Sequence, residues 1–583
     1  NDMKKRILSI LLLCCMLLTL LPTTAFAADE LPDVKLSVPT KFDKIVDLTK
    51  QNQELKIKDS KTYLIKGSTD PNWYFQYRIK IDGGRKKITP HIFLDGVRLQ
   101  APKDGPAIEL YGGASACLYF IGNDSELIGA ENFAALQKNK TDGYLRVLVQ
   151  TGTKLTCEGG RYGAGIGGSK VGIKDFSQGH GVNLHFGSLA TDIYGGEISA
   201  TSGVYGAGIG GGQGGVGEQI YVYSGKLTVR SVSEGAGIGG GQGGPGRFIY
   251  IKGGTVNAGS ESGGAGIGSG DQDGQNKSED AHHIEISGGT VEAWSNYAGA
   301  GIGGGRGGSG YDISITGGVV RAQGYFGAGI GGGDSGIGEN ITITDGTVTA
   351  TGGIYGAGIG GGENTGAENI TITGGDIFAT GNHGAAGIGG GWRGNGTDIT
   401  ITGGNITAVG KTESSRDVGG AGIGGGGNQT SDPGIGSNIK ITGGSVTAVG
   451  GNYAAGIGGS YLSKGENITI IDAEVIAKGG ANGAGIGGGD SGDGSNISIS
   501  GNANVKAAGG ASDGEIGDGA AIGAGGIYRN GQPVRGEERD VNTSGLTGSI
   551  ERLPAGTTFD IPQPKPRSSF PKPAPDPVAV EEE

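Results

Sequence analysis

The sequence predicts an all-β fold: a right-handed parallel β-helix of about 29 residues and three short strands per coil, with an N-terminal β cap. Three observations carry this reading. First, the phrase Gly-Ala-Gly-Ile-Gly-Gly-Gly recurs with slight variation between about residues 160 and 525. Its central isoleucines are Ile166, Ile209, Ile238, Ile267, Ile302, Ile330, Ile359, Ile388, Ile423, Ile457 and Ile486, with a degenerate echo at Ile522. Most gaps are 28 or 29 residues and the others run from 34 to 43; a period in this range, with insertions in some copies, is the signature of a solenoid. Second, the segments between phrases alternate apolar and polar residues with the period of a strand. Third, no copy holds a helical pattern, and glycine at 132 of 583 residues would destabilise one.

The copy from Tyr355 to Gly381 shows the elements. In Asn369-Ile-Thr-Ile-Thr373, Ile370 and Ile372 face one way. After the turn at Gly374-Gly375, Asp376-Ile-Phe-Ala-Thr380 repeats the alternation with Ile377 and Ala379 inward. Ala357-Gly-Ile359 supplies a third, very small strand. One coil cannot bury its apolar face, so stability requires several coils in register. Eleven coils at about 4.8 Å per strand make a section roughly 50 Å long. Asn340, Asn369, Asn438, Asn467 and Asn496 precede the Ile-x-Ile strand, and Asp192, Asp312 and Asp398 are read in the equivalent place. Together they predict a stacked Asn/Asp ladder at that corner.

The two ends differ from the middle. Residues 1–27 combine a basic start, an apolar run and an Ala-x-Ala end, which reads as a secretory signal cleaved after Ala27. Residues 28–87 lack the repeat and read as a cap, because a solenoid needs its open end covered. Residues 88–160 form opening coils without the glycine phrase, residues 161–527 the repeat β-helix, and residues 528–552 the end of the solenoid. Residues 553–583 are rich in proline and charge, as in an extended linker; a free secreted form or a further C-terminal module or anchor are both expectations. Cys117 and Cys157 remain after signal removal and either pair as a disulfide or pack as inward residues of neighbouring coils.

Composition narrows the function classes. No Gly-X-Y triplet runs through the chain, which excludes collagen. The net charge of −12, or −14 without residues 1–27, comes with no basic stripe, so nucleic acid is a poor partner. No spanning segment follows the signal. Most copies of the phrase satisfy G-x-G-x-x-G, but none opens a helix in a βαβ unit, so the pattern is architectural.

Two sets of residues are candidates for binding. Tyr162, Tyr205, Phe326, Tyr355 and Tyr453 sit four residues before a repeat isoleucine, and Tyr297 and His383 sit five before theirs. Stacked coils align them into a broken aromatic ridge suited to sugar rings, with shielding of a corner as the alternative. The acidic turns Asp271-Gln-Asp273 and Asp490-Ser-Gly-Asp493 offer the oxygen ligands that calcium takes; solvated turns are the alternative. A polysaccharide lyase would need clustered carboxylates and a nearby basic residue. Instead the outward positions Thr342, Thr344, Thr371, Thr373, Thr400 and Thr402 make a neutral, uniform face.

The run Ile92-Phe-Leu-Asp-Gly-Val-Arg-Leu99, with Asp104-Gly-Pro-Ala-Ile-Glu-Leu110 and Leu118-Tyr-Phe-Ile-Gly-Asn-Asp-Ser-Glu-Leu127, resembles the opening coils of extracellular carbohydrate-binding β-helix proteins of Gram-positive bacteria. The Ala-Gly-Ile-Gly-Gly phrase with Asn-Ile-Thr-Ile-Thr-Gly-Gly is similar to repeats of clostridial cell-surface, adhesin-like proteins. The resemblance implies a secreted or cell-surface location in a Gram-positive bacterium, and binding of polysaccharide or cell-wall glycan together with calcium. It matches no calcium ligand residue by residue. The expectation is a non-catalytic polysaccharide-binding β-helix. A structural stalk or protein-binding adhesin is the alternative, and a lyase the minority reading.

Overall fold

The computed structural model describes residues 34–563 except 85, 140–141, 171, 173–178, 191, 273–279, 413–417 and 429–433. The predicted signal segment and residues 564–583 of the predicted linker lie outside the described residues. The chain divides into a short unit ending at Thr40, whose described residues 34–40 hold no strand, and a second unit from Lys41 onward.

The second unit is a right-handed parallel β-helix. Its strands stack into three parallel sheets of 16, 16 and 15 strands. In the repeat that begins at Gly338, Gly338–Ile343 joins sheet 1, Thr347–Thr351 joins sheet 3, and Ile359–Gly360 joins sheet 2. The third strand therefore begins two residues after the start of the predicted Ala357–Ile359 and ends one residue after its end. Register is strict: Ile341 pairs with Ile370, Val348 with Ile377, and Ile359 with Ile388. These side chains form one continuous buried core. Each buried isoleucine contributes on the order of 1.5–3 kcal/mol, an upper bound because unfolded chains are partly compact. Outward threonines stack into ladders, Thr342 on Thr371 on Thr400.

Coil geometry begins earlier than the repeats suggest. Lys44–Asp47 pairs with Thr62–Lys66, and Leu55–Ile57 pairs with Ile79–Asp82, all within the same sheets. The region read as a cap thus already carries parallel coils, and the stack is 16 strands deep rather than eleven. In sheet 2 there, Ile57 and Ile81 stand two positions after the residues in register with the repeat isoleucines, where the repeat carries glycine, so these coils do without the glycine phrase. At the far end, Ser549–Leu553 adds the last strand of sheet 3 beside Asn504–Ala508. A hairpin, Ile527–Arg529 with Gln532–Val534, precedes it. Val541, Leu546 and Ile550 pack against the core there.

The Asn/Asp corner is a left-handed kink. Asn340, Asn369, Asn438, Asn467 and Asn496 have φ between 51° and 57°, and Asp312 and Asp398 have φ of 50° and 54°. Asparagine and aspartate tolerate this region better than most residues. The side chains bond along the stack: Asn438 Nδ2 donates to Asp398 Oδ1, Asn467 Nδ2 to Asn438 Oδ1 and Asn496 Nδ2 to Asn467 Oδ1. Asp192 does not belong to this ladder. It starts a short 3₁₀ turn at Asp192–Tyr194, and Asn183, with φ 58°, takes the place instead.

The two cysteines form no disulfide and sit on different sheets. Cys157 points inward on sheet 3 between Leu127 and Ala200, whereas Cys117 alternates with the core residues Leu118 and Phe120 on sheet 1 and so faces outward. Of the two sequence readings, inward packing fits Cys157 alone.

Two outcomes follow for stability. Replacing Asn467 by Ala costs about 1–2 kcal/mol, because alanine in the left-handed region clashes; Asn467→Gly recovers about half, since it keeps the kink and loses the amide ladder. Urea midpoints measure both, and equal loss in the two variants would assign the whole effect to the hydrogen bonds. Gly360→Ala lowers stability by more than about 3 kcal/mol, while Thr373→Ala on the exposed face stays within about 0.5 kcal/mol. Similar denaturation profiles for those two variants would contradict the packing described.

Candidate functional site

From Ile166 onward each strand of sheet 2 is only two residues long, Ile followed by Gly. A turn lies on either side of it. Short strands bring these two turns onto one narrow face, and backbone hydrogen bonds tie them together across coils. The amide of Gln213 donates to the carbonyl of Tyr162, Gln242 to Tyr205, Trp392 to Tyr355 and Asp490 to Tyr453. The aromatic positions, four residues before the isoleucine, therefore lie beside the positions four residues after it. That second column holds Lys170, Gln213, Gln242, Asp271, Arg306, Asp334, Glu363, Trp392, Tyr461 and Asp490. Sequence reasoning found the first column and, of the second, named only Asp271 and Asp490, as acidic turns; the mirrored spacing was the signal for the rest.

The predicted aromatic residues fall into three groups. Tyr162 and Tyr205 stack at 5.2 Å between centroids and 13° between planes. Arg161 lies over both rings and Lys170 Nζ is 3.9 Å from the centroid of Tyr162. The largest group spans four coils. Tyr297 and Phe326 meet edge to face at 5.3 Å, Phe326 stacks toward Tyr355 at 6.5 Å, and Tyr355 touches His383 and Trp392 at 6.0 and 5.0 Å. Tyr325 joins at 5.0 Å from Phe326, and Arg393 covers Trp392 at 4.1 Å. Tyr453 stands apart, 6.1 Å from Tyr461, with its hydroxyl bonded to Asp513.

Ring orientation decides what each group presents. The nearly parallel Tyr162 and Tyr205 cover each other's faces, and the side chain of Tyr205 is hydrogen-bonded to Arg161. Tyr297, perpendicular to Phe326 and 40% exposed, lies outside any such stack. Tyr355 and Tyr453 hold φ of 72° and 67°, where a non-glycine residue costs about 1–2 kcal/mol. Gly384 takes the matching position one coil after Tyr355 with φ 95°, so the backbone there suits glycine. An aromatic side chain in that place carries strain of the kind found at functional sites.

Polar groups complete the face. Gln213 Nε2 donates to Gln242 Oε1, and Gln242 donates on to Glu234, which sits where other coils carry tyrosine. Asp334 and Glu363 follow one another beside the aromatic group. Burial, and then the charge of Asp334, push the Glu363 carboxyl above its ordinary range.

The predicted calcium turns do not come together. Asp271 is buried and pairs with Arg306 at 3.0 Å. Asp490, fully buried, accepts hydrogen bonds from Asn482 and Ser491, and burial raises its carboxyl. Asp493 is held by Arg539 through two contacts of 3.0 and 2.8 Å. Asp273 lies outside the described residues. Among the described residues no group of three or more His, Cys, Asp or Glu could hold a metal ion.

A second aromatic cluster is structural in character. On the outer side of sheet 1, Phe93 and Tyr119 stack at 4.3 Å, with Phe42 and Tyr194 against them. His185 is buried nearby, bonded to Asn183 and Tyr223, and burial together with the Arg146 charge pushes it down to about 3. No helix among the described residues is long and apolar enough to cross a membrane.

Searches of curated proteins and of solved structures gave no match. The sequence model of the family described as a β-helix repeat matches residues 192–213, 249–271, 284–306, 313–334, 341–363, 370–392, 399–427 and 439–461. Each match after the first begins at a sheet 1 isoleucine, so the repeat this family model describes coincides with the coils of the three parallel sheets, and the chain carries β-helix repeats over these residues.

Proposed function

We propose that this protein is a secreted, non-catalytic β-helix that binds polysaccharide, with cell-wall glycan as the natural partner, along the face built by the two turns flanking sheet 2. The observation that carries this reading is the aromatic group Tyr297, Phe326, Tyr355 and Trp392, set in consecutive coils beside Asp334, Glu363 and Arg393. Apolar ring surface beside planar hydrogen-bonding groups matches a sugar, which offers C–H faces and hydroxyl edges together. A repeat of one coil lets the same contacts recur along a polymer, so weak single contacts add through multivalency. Residence at a Gram-positive cell surface rests on the signal-like residues 1–27 and the family resemblance. The non-catalytic reading rests on the neutral, uniform threonine face of sheet 1, where Thr342, Thr371 and Thr400 stack in register. Calcium enters as an assay condition, through the acidic turns named above.

Glycan-array retention of residues 28–583, run with calcium and with chelator, tests the proposal. Tyr297→Ala and Trp392→Ala each weaken retention about tenfold or more, as expected for central anchors, while thermal melting stays within a few degrees. Thr342→Val and Thr371→Val on sheet 1 leave retention unchanged. A blank array from the folded protein would favour a stalk or protein-binding adhesin, and release of unsaturated oligosaccharides would favour a lyase.

A further inference from the structure

The acidic net charge of the chain conceals a segregation of charge along it. Residues 41–103, which build the first two coils and part of the third, hold 14 Lys and Arg against 7 Asp and Glu, whereas residues 104–583 hold 28 against 47. Six exposed cations of the first two coils, Lys41, Lys58, Lys61, Lys66, Lys86 and Lys87, have no ion-pair partner among the described residues. Lys58 and Lys61 flank the turn between Leu55–Ile57 and Thr62–Lys66, and Lys86 and Lys87 hold the same turn one coil later, between Ile79–Asp82 and His91–Asp95. Lysine on a free strand edge discourages pairing with another chain, and Lys44 and Lys56 on the first strands of sheets 1 and 2 meet that need. Of the six others only Lys66 lies in a strand. The opposite end has free edges too and no such surplus: residues 504–563 hold 5 Lys and Arg against 8 Asp and Glu.

The same two coils expose apolar side chains that the core does not use. Leu48, in the 3₁₀ turn Leu48–Lys50, is buried and shares a small crevice with Leu55, Phe75 and Leu99, which closes the interior at this end. Outside that closure Ile45, on the first strand of sheet 1, is 64% exposed, and Trp73, in the turn after Thr62–Lys66, is 56% exposed. The lysine turns follow sheet 2, Ile45 lies on sheet 1, and Trp73 follows sheet 1, so the two sets occupy different sides of one end. A linear polyanion laid along one side meets only one set. A flat surface set against the end meets both. An anionic bilayer is such a surface: its phosphates attract lysines, and its headgroup boundary takes tryptophan and aliphatic side chains.

We propose that the N-terminal end of the β-helix docks on an anionic phospholipid bilayer, with Lys58, Lys61, Lys86 and Lys87 against the phosphates and Ile45 and Trp73 in the headgroup boundary. The acidic remainder of the chain is disfavoured at the same surface, so the basic end is the one turned toward the lipid. This docking is independent of the glycan reading and requires no spanning segment.

Sedimentation of residues 28–583 with vesicles of equal phosphatidylglycerol and phosphatidylcholine, against vesicles of phosphatidylcholine alone, tests the docking. At about 0.1 M salt the mixed vesicles bind more tightly by about a hundredfold or more, and the difference shrinks toward about 0.5 M as screening rises. The variant Lys58→Gln/Lys61→Gln/Lys86→Gln/Lys87→Gln loses most of that preference with its melting temperature unchanged. Ile45→Ser/Trp73→Ser, with every lysine intact, weakens binding about tenfold. Emission of the native protein moves to shorter wavelength on the mixed vesicles and is quenched by brominated lipid, and Trp73→Phe abolishes both effects. Absent binding, equal binding to the two vesicle types, a preference that survives the lysine variant, or unchanged emission on bound vesicles overturns the proposal. So does long-chain polyphosphate held as tightly as the mixed vesicles and indifferent to Ile45→Ser/Trp73→Ser, which would assign this end to a soluble polyanion. Each of these outcomes leaves the glycan-array result standing, because that assay reads the residues from Tyr297 to Trp392.

Discussion

The structure depends on how closely backbone can approach backbone in sheet 2. The glycine that ends each two-residue strand, from Gly167 to Gly523, has φ between 128° and 142°, a region that side chains rarely enter. A Cβ on Gly360 would lie 2.0 Å from the carbonyl oxygen of Gly389, and one on Gly331 would lie 2.0 Å from that of Gly360. The contact repeats in every coil of this part of the stack. It fixes the register of isoleucine on isoleucine, which the inward residues of sheets 1 and 3 then follow. Hydrophobic burial supplies most of the favourable energy, but close glycine packing decides which residues meet.

The same contact produces the candidate site. Shrinking sheet 2 to Ile-Gly leaves little strand between its flanking turns, and the turns meet as one surface. Side chains of the two columns are then placed by backbone hydrogen bonds rather than by long flexible loops. This is a rigid mounting, of the sort that lets weak contacts with a polymer add without a large ordering cost. Along the face, chemistry changes while geometry repeats. Cations over stacked tyrosines give way to an amide ladder, then to the Asp271–Arg306 pair, then to the aromatic group, and finally to carboxylates. A surface that varies in this way differs from the uniform threonine ladders of sheet 1, which satisfy strand preference and solubility with no variation to read.

Much of the fold was legible because it is periodic. The isoleucines, the Gly-Gly turns and the asparagine kink all announce themselves by spacing, and each was found where expected. The early coils were missed because Ile57 and Ile81 in sheet 2 stand where the repeat carries glycine, so no phrase marks them. Asp192 was misassigned because the chain there makes a 3₁₀ turn, which resets the local spacing. For the site, the tyrosine column was visible as a residue type at a fixed offset. The second column hid because its members, among them Lys170, Gln213, Glu363 and Trp392, share a position and no chemistry. The acidic turns failed as a calcium site for a related reason: Arg306 and Arg539, 35 and 46 residues further along the chain, reach back to claim the carboxylates.

The most direct test of the account is a hydrogen–deuterium exchange footprint of residues 28–583 with and without an oligosaccharide retained on the array. Protection confined to the turns at 161–162, 205–213, 297–306, 325–334, 355–363 and 383–393 would place the ligand on the face made by the glycine contact. Protection along the threonine ladders of sheet 1 around residues 342–402, with those turns unchanged, would contradict it.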